Sequence, residues 1–164
     1  MSLKIIHTAD WHLGQTFFGY DRDEEHEAFL SWLIDILTLR QTDVLLIAGD
    51  VFDVANPSAA AQRRFFRFLR EANRHNPQLQ IVIIAGNHDS AARLEAPIPL
   101  LEELNTSIVG VVPRTDLCKI DFDSLLIPLY NKEGKREAIC LAVPYLRQGD
   151  YPASKEGKDT YVEG

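Results

Sequence analysis

The sequence predicts an α/β protein whose N-terminal half is built on a parallel sheet. Two observations carry that expectation. One grammar occurs three times: an apolar strand, a polar loop, then an amphipathic helix. Two of those strands, Val44-Leu45-Leu46-Ile47-Ala48 and Ile81-Val82-Ile83-Ile84-Ala85, are unbroken apolar runs, the pattern of strands buried on both faces. From Thr106 the pattern changes to short strand-like runs with close connections, so the second half is expected to be more antiparallel.

Taken in order, Leu3 to His7 reads as a first strand running into Thr8-Ala9-Asp10-Trp11-His12-Leu13-Gly14. Phe29, Leu30, Leu33, Ile34, Ile36 and Leu37 give a helix between Arg22 and Arg40 with a wide apolar face. Asp43 to Ala48 is a strand ending in Gly49-Asp50. The next helix starts after Asn56-Pro57-Ser58, with Ser58 as its cap, and stops near His75-Asn76-Pro77. Gln80 to Ala85 ends in Gly86-Asn87-His88-Asp89. A helix from Ser90 to Leu104 must accommodate Pro97 and Pro99, which breaks it or delays its start. Ser107–Val112, Leu117–Phe122, Ser124–Leu129 and Ala138–Val143 read as strands, with Asn131-Lys132-Glu133-Gly134-Lys135 as a turn. The tail from Gln148 to Gly164 has no period and is expected to be loose.

The 164 residues suit one domain with its own core, and the composition is that of a soluble globular protein. No apolar run is long enough to span a membrane, and no basic-then-apolar leader opens the chain, so the expectation is cytoplasmic. Cys118 and Cys140, in strand-like surroundings, are expected to be buried and reduced. The net charge of −7 argues against binding nucleic acid by general attraction, although acidic metal ligands inflate that tally.

Repeated βα units form a parallel sheet with right-handed crossovers, helices on its faces and ligands at the carboxyl ends of its strands. All three polar loops fall at such ends. They bring Asp10, His12, Asp50, Asp53, Asn87, His88 and Asp89 to one rim. Asp10 and His12 are two residues apart, so in an extended segment both point to the same side and can grip one cation. Gly49 permits a sharp turn that delivers Asp50, whose two oxygens can bridge two cations. Asn87 adds a neutral oxygen. Nitrogen and oxygen donors without thiolate favour Mn, Fe, Zn or Mg. Two such ions would clamp the attacking and leaving oxygens of a phosphoryl transfer. His88 is assigned to transition-state stabilisation or protonation of the leaving oxygen. Asp89 is grouped with it at the catalytic site, and Asp89 and Asp53 are read as partners that orient a histidine or a ligand by hydrogen bond.

Each piece alone reads more plainly. A single Asp10 forms an Asx turn, Gly49-Asp50 opens a loop, and Asn87-His88 makes a turn. His7, His26 and His75 have no spacing that links them to the rim and read as structural or solvated. The coincidence of three ligand-bearing loops at equivalent strand ends is what argues for metal chemistry. Separately, Arg63, Arg67, Arg70 and Arg74 share one helical face opposite Phe65, Phe68, Leu69 and Ala72. Phosphate, a subunit interface, or Glu71 and solvent would each suit such a stripe.

Asp10-Trp11-His12, Gly49-Asp50-Val51-Phe52-Asp53 and Gly86-Asn87-His88-Asp89 together resemble the calcineurin-like metallophosphoesterase family, with its D-x-H, G-D-x-x-D and G-N-H-D/E motifs, each after a strand. A narrower resemblance is to the DNA-nuclease branch. It rests on Thr8 through Gln15 followed by Arg22, Glu25-His26 and Phe29-Leu30, and on Ala48 through Asp53 with Asn56-Pro57-Ser58 behind. It runs from Lys4 through Arg93 and more weakly to Pro144-Tyr145-Leu146-Arg147. The resemblance implies a layered sandwich of mixed β-sheets flanked by helices. It implies a first metal on Asp10, His12 and Asp50, with Asp50 bridging to a second that Asn87 also binds, and His88 as the catalytic histidine. Manganese is the implied ion. The implied activity is hydrolysis of DNA, 3′→5′ from duplex ends and endonucleolytic on single strands and hairpins. The implied partners are a coiled-coil ATPase and a second nuclease protomer. The family pattern continues with a further histidine and then G-H-x-H, whereas no histidine follows His88 here. Residues 1–164 are therefore expected to be the N-terminal part of a single nuclease domain, truncated at the C-terminus and a poor catalyst alone. Val54-Ala55-Asn56 after Asp53 departs from the G-D-Y-V-D-R-G of the family's protein phosphatases. A phosphomonoesterase or cyclic-nucleotide phosphodiesterase, and a silent scaffold that docks a partner, stand as the rival expectations.

Overall fold

A computed structural model describes residues 2–101, 104–115, 119–147 and 150. Its elements are β1 (Ile5–Thr8), β2 (Thr16–Phe17), β3 (Tyr20–Asp21), α1 (Asp23–Leu39), β4 (Val44–Ala48), α2 (Ala59–His75), β5 (Gln80–Ile84), α3 (Ala91–Glu95), α4 (Ile98–Leu101), β6 (Thr106–Val109), β7 (Leu126–Tyr130) and β8 (Arg136–Leu141). No helix is long and apolar enough to cross a membrane among the described residues.

The helices begin and end where side chains dictate. Ser58 accepts a hydrogen bond from the Ala61 amide at 3.1 Å, capping α2. The third helical stretch is divided, as its prolines require: α3 stops at Glu95 and α4 opens after Pro97.

β1, β4, β5 and β6 form one parallel sheet in that order. Alternation along the central strands sorts their side chains between two cores. Leu45, Ile47, Ile81 and Ile83 face α1 and α2, against Leu30, Leu33, Leu37, Phe65, Phe68 and Leu69. Each such side chain contributes roughly 2 kcal/mol on burial. Val44, Leu46, Val82 and Ile84 belong to the other core, with Leu125, Ile127 and Leu129 beneath the antiparallel β7–β8 pair.

That arrangement corrects several expectations. The long helices cover one face only; the other is covered by a hairpin, because the apolar runs of β7 and β8 supply a second sheet. β1, the expected first strand, lies at the edge of the sheet with Ile5 and His7 exposed. β6 joins the parallel sheet beside β5 rather than the antiparallel half. Of the expected strand Leu117–Phe122, Leu117 and Cys118 lie outside the described residues; in the rest Ile120 makes an isolated bridge with Arg114, and a 3-10 turn follows over Asp123–Leu125. Asn131–Lys135 is the expected turn, closed by the Asn131 amide on the Lys135 carbonyl at 3.0 Å, with Gly134 at φ +74°. Cys140 is free and half-buried rather than buried, and burial pushes its thiol pKa up. Cys118 and, Asp150 apart, the tail from Gln148 lie outside the described residues.

Candidate metal centre

The first two polar loops are held together by backbone hydrogen bonds that prolong the β1–β4 pairing past the strand ends. The amide of Asp10 donates to Gly49 O (3.1 Å), His12 to Asp50 O (2.9 Å) and Leu13 to Val51 O (3.0 Å). Trp11 anchors the first loop from below. It is 5% exposed, donates from Nε1 to Thr8 Oγ1 at 2.9 Å, and meets Phe29, Phe65 and Phe68 edge-on. With Trp11 driven into the helix-side core, the residues on either side of it are turned to the rim.

The backbone there is not extended, which corrects the reasoning that paired Asp10 with His12. Asp10, His12 and Asp50 sit at φ +56°, +46° and +46°, in the left-handed region that side chains other than glycine seldom occupy. Each such residue costs of order 1 kcal/mol or more, and this kind of strain collects at functional sites. The three residues still converge. One ligand atom from each of Asp10, His12 and Asp50 lies within 4.8 Å of the others.

The third loop is fitted around Asp50. A Cβ placed on Gly86 would fall 2.1 Å from Asp50 Oδ1, so only glycine leaves room for that carboxylate. Asp50 Oδ1 in turn accepts from the His88 amide at 2.9 Å. Asp89 is fully buried, and its carboxylate accepts from the amides of Val51 (3.1 Å), Phe52 (3.0 Å) and Gly86 (2.9 Å). Those three bonds use it to tie the second loop to the third. Asp89, expected at the catalytic site or as a partner that orients a histidine or a ligand, lies buried beneath the loops with its carboxylate on three backbone amides. Arg147 closes the loop from the far side by donating to the Asp89 carbonyl.

Asp53 lies beside His12, its Oδ1 3.2 Å from Nδ1, and accepts from Gln15 Nε2 at 3.3 Å. The approach to His12 is off the line of a hydrogen bond, and His12 Nδ1 is buried without a partner. His88 is exposed and stands edge-on to the His12 ring at 4.9 Å. Its Nδ1 lies 2.7 Å from the Asp53 carbonyl oxygen, which can only accept, so Nδ1 carries the proton and Nε2 stays free. That hydrogen bond, helped by the Asp50, Asp53 and Asp89 carboxylates, raises the His88 pKa above the ordinary histidine value. His12, Asp53 and His88 also bring ligand atoms within 4.8 Å, a second grouping that the motif reading had divided between roles. Asn87 is exposed, with no hydrogen bond among the described residues.

The residues fit a divalent cation. An orphaned buried imidazole nitrogen, converging carboxylates and an unengaged amide oxygen are donors without acceptable partners inside the protein. Beside them a cavity of about 500 Å³ is lined by Asp10, His12, Gln15, Arg22, His26 and Phe29 among others. His26, read from the sequence as unrelated to the rim, forms part of this wall. It is buried, and desolvation followed by Arg22 and Arg64 lowers its pKa. The β2–β3 hairpin, which leaves Phe17, Phe18 and Tyr20 exposed, was also unforeseen; Phe18-Gly19, at φ +49° and +84°, was its signal.

Residues 3–151 match the calcineurin-like phosphoesterase family. The D subunit of the nuclease SbcCD from Rhodobacter capsulatus is 48% identical over 99% of this chain. The corresponding proteins from Escherichia coli K12 and Bacillus subtilis, which bear the same name, are 35% identical over 94% and 39% identical over 74%. The chain covers 40%, 36% and 31% of these three relatives' own lengths, so it spans less than half of each. With the motif-bearing loops gathered at one rim and the whole described sheet inside the matched region, the chain belongs to the calcineurin-like phosphoesterase family.

Proposed function

We propose that this chain is the metal-binding part of a DNA nuclease that hydrolyses phosphodiester bonds with two divalent cations, manganese by preference. The observation that carries the reading is the convergence of Asp10, His12 and Asp50 on strained backbone, with Asn87 and His88 on the loop shaped around Asp50. Similarity to three relatives named as nuclease subunits supports a nucleic acid among phosphoesters, which we read as DNA. Residues 1–164 then form the N-terminal part of one nuclease domain, completed by sequence of the kind its longer relatives carry.

In this mechanism Asp10, His12 and Asp50 would hold one divalent cation, and Asp50 with Asn87 would help to hold a second. Bound divalent ions supply Lewis acidity and a hydroxide nucleophile near neutral pH. His88, its Nδ1 held by the Asp53 carbonyl oxygen, would present Nε2 to the leaving oxygen as the proton donor. Asp53 fixes the His88 ring through its carbonyl, and Asp89 keeps the loops in register. Activity is 3′→5′ on duplex ends and endonucleolytic on single strands and hairpins, in DNA repair and recombination. The partners are an SbcC-like coiled-coil ATPase and a second nuclease protomer, in the cytoplasm.

The test is a substrate panel for the full-length protein with manganese: hairpin DNA, a phosphopeptide and a small chromogenic ester. Cleavage of the hairpin is the expected result. Turnover confined to the phosphopeptide or a monoester would transfer the chain to the phosphatase reading. No turnover, with no thermal shift on adding manganese, would make it a scaffold.

A further inference from the structure

Arg63, Arg67, Arg70 and Arg74 all prove exposed on the side of α2 turned away from the sheet. Their neighbour Arg64 is different: buried between the helices, it pairs with Asp23 at 2.8 Å and Glu27 at 3.0 Å. That pairing consumes Asp23 and part of Glu27. Arg67 shares what is left of Glu27, Arg70 and Arg74 share Glu71, and Arg63 has no carboxylate partner among the described residues. Five arginines thus face three carboxylates on a chain whose net charge is −7. The acidic groups present do not neutralise this helix face. A cleft of about 620 Å³ runs along it, lined by Arg63, Arg64, Arg67 and Arg70 with Glu27 and Phe66.

From these features we infer that α2 carries a second phosphate-binding surface, a track for the nucleic-acid backbone outside the metal centre. Its position favours a polyanion. α2 begins at the rim: Ala61, two residues before Arg63, lies so near Gly14 of the first ligand loop that a Cβ there would stand 3.2 Å from it, and Phe65 meets Phe52 of the second edge-on. From there the four guanidinium groups follow the helix for roughly 16 Å at 1.5 Å per residue. One strand of duplex presents about five phosphates over that length. Guanidinium forks match phosphate oxygens, and Glu27 and Glu71 hold several of them before a backbone displaces the carboxylates. The Arg63 end of the track is the end nearer the metal loops, where a strand leaving the metals would meet it first.

The inference rests on the nuclease reading and is tested apart from it. Affinity of the full-length protein for a labelled blunt duplex is measured in EDTA across a salt series. Arg63→Gln and the fourfold Arg63→Gln/Arg67→Gln/Arg70→Gln/Arg74→Gln variant are compared with wild type and with Arg63→Lys. Each lost contact is expected to flatten the slope of log affinity on log salt by ~0.9, with Arg63→Lys keeping the wild-type slope. Hydrolysis of a small chromogenic phosphodiester should be unchanged, since no altered residue touches the metal loops. Slopes that stay at the wild-type value while wild type still cleaves DNA would overturn the track alone. Unchanged slopes with loss of self-association or of ATPase binding would put a protein on this face instead. Absence of DNA cleavage by wild type would remove the nuclease reading, whatever the slopes.

Discussion

At the amino end of the parallel sheet, Asp43 accepts from the amides of Lys4 (2.7 Å) and Lys132 (3.2 Å). Nearby, Gln80 donates to Pro128 O and accepts from Tyr130 N, Asn76 donates to Thr42 O, and Asn131 accepts from Glu133 N and Lys135 N. The carboxyl end carries a similar set of polar residues and leaves several of them open. His12 Nδ1 has no partner, and Asp10 and Asn87 make no side-chain hydrogen bond among the described residues. Asp89, one oxygen of Asp50 and Nδ1 of His88 are committed to backbone there. Polar groups that serve the fold find partners within it; those that serve a ligand are held short of them, on backbone whose strain the core below supports. At the base of the sheet Thr42 Oγ1 is a buried exception without a partner, whereas at the rim the open groups are clustered together.

If that contrast is right, substitutions at the two ends separate activity from stability. The largest effect belongs to Asp50→Ala in the full-length protein, which should abolish metal-dependent cleavage, a loss of ~10⁴ or more. His88→Ala should keep the metal and lose rate by about 10³, in line with removal of a general acid. Calorimetric titration with manganese separates the two, and equal metal loss in both would show that His88 is a ligand. Asp43→Ala should do the reverse. It strips two hydrogen bonds from a buried carboxylate and should destabilise by about 3 kcal/mol, with turnover per folded molecule unchanged. Denaturant melts alongside single-turnover rates would check it, and a selective rate loss would break the comparison.

The smallest effect comes from His26, at the wall between core and rim. Burial disfavours its protonated form, so its folded pKa lies below the unfolded one. Above about pH 6.5 it contributes no pH dependence. As pH falls through that value the unfolded chain takes up the proton first, and stability declines until the folded value is reached. The slope is at most about 1.4 kcal/mol per pH unit. His26→Gln should flatten the fall in melting temperature between pH 7 and pH 5; an equally steep fall would assign it to other groups.

The sequence made the general plan legible because its strongest signals are local. Apolar runs announced β4 and β5, Ser58 announced the start of α2, and two prolines announced the break between α3 and α4. The gathering of loops at strand ends followed from parallel topology. What stayed hidden depends on partners distant in sequence. No local pattern states that α1 and α2 share one face while β7 and β8 take the other. The left-handed turns at Asp10, His12 and Asp50 are dictated by Trp11 in the core and by pairing between loops, neither of which leaves a mark on residue type. Asp89 looked like a site residue because it stands beside His88, yet its carboxylate points to three amides. Arg64 is indistinguishable in the sequence from the exposed arginines around it.

Gly86 shows how far such hidden dependence reaches. It contributes no side-chain donor atom, yet the space a methyl group would need is already taken by the Asp50 carboxylate and by the Asp50 backbone nitrogen. A library randomised at that one codon and selected for activity should return glycine alone. Replacing Asp50 by alanine leaves the backbone nitrogen at position 50 in place, so the requirement for glycine at position 86 should persist there, read as folded yield rather than activity.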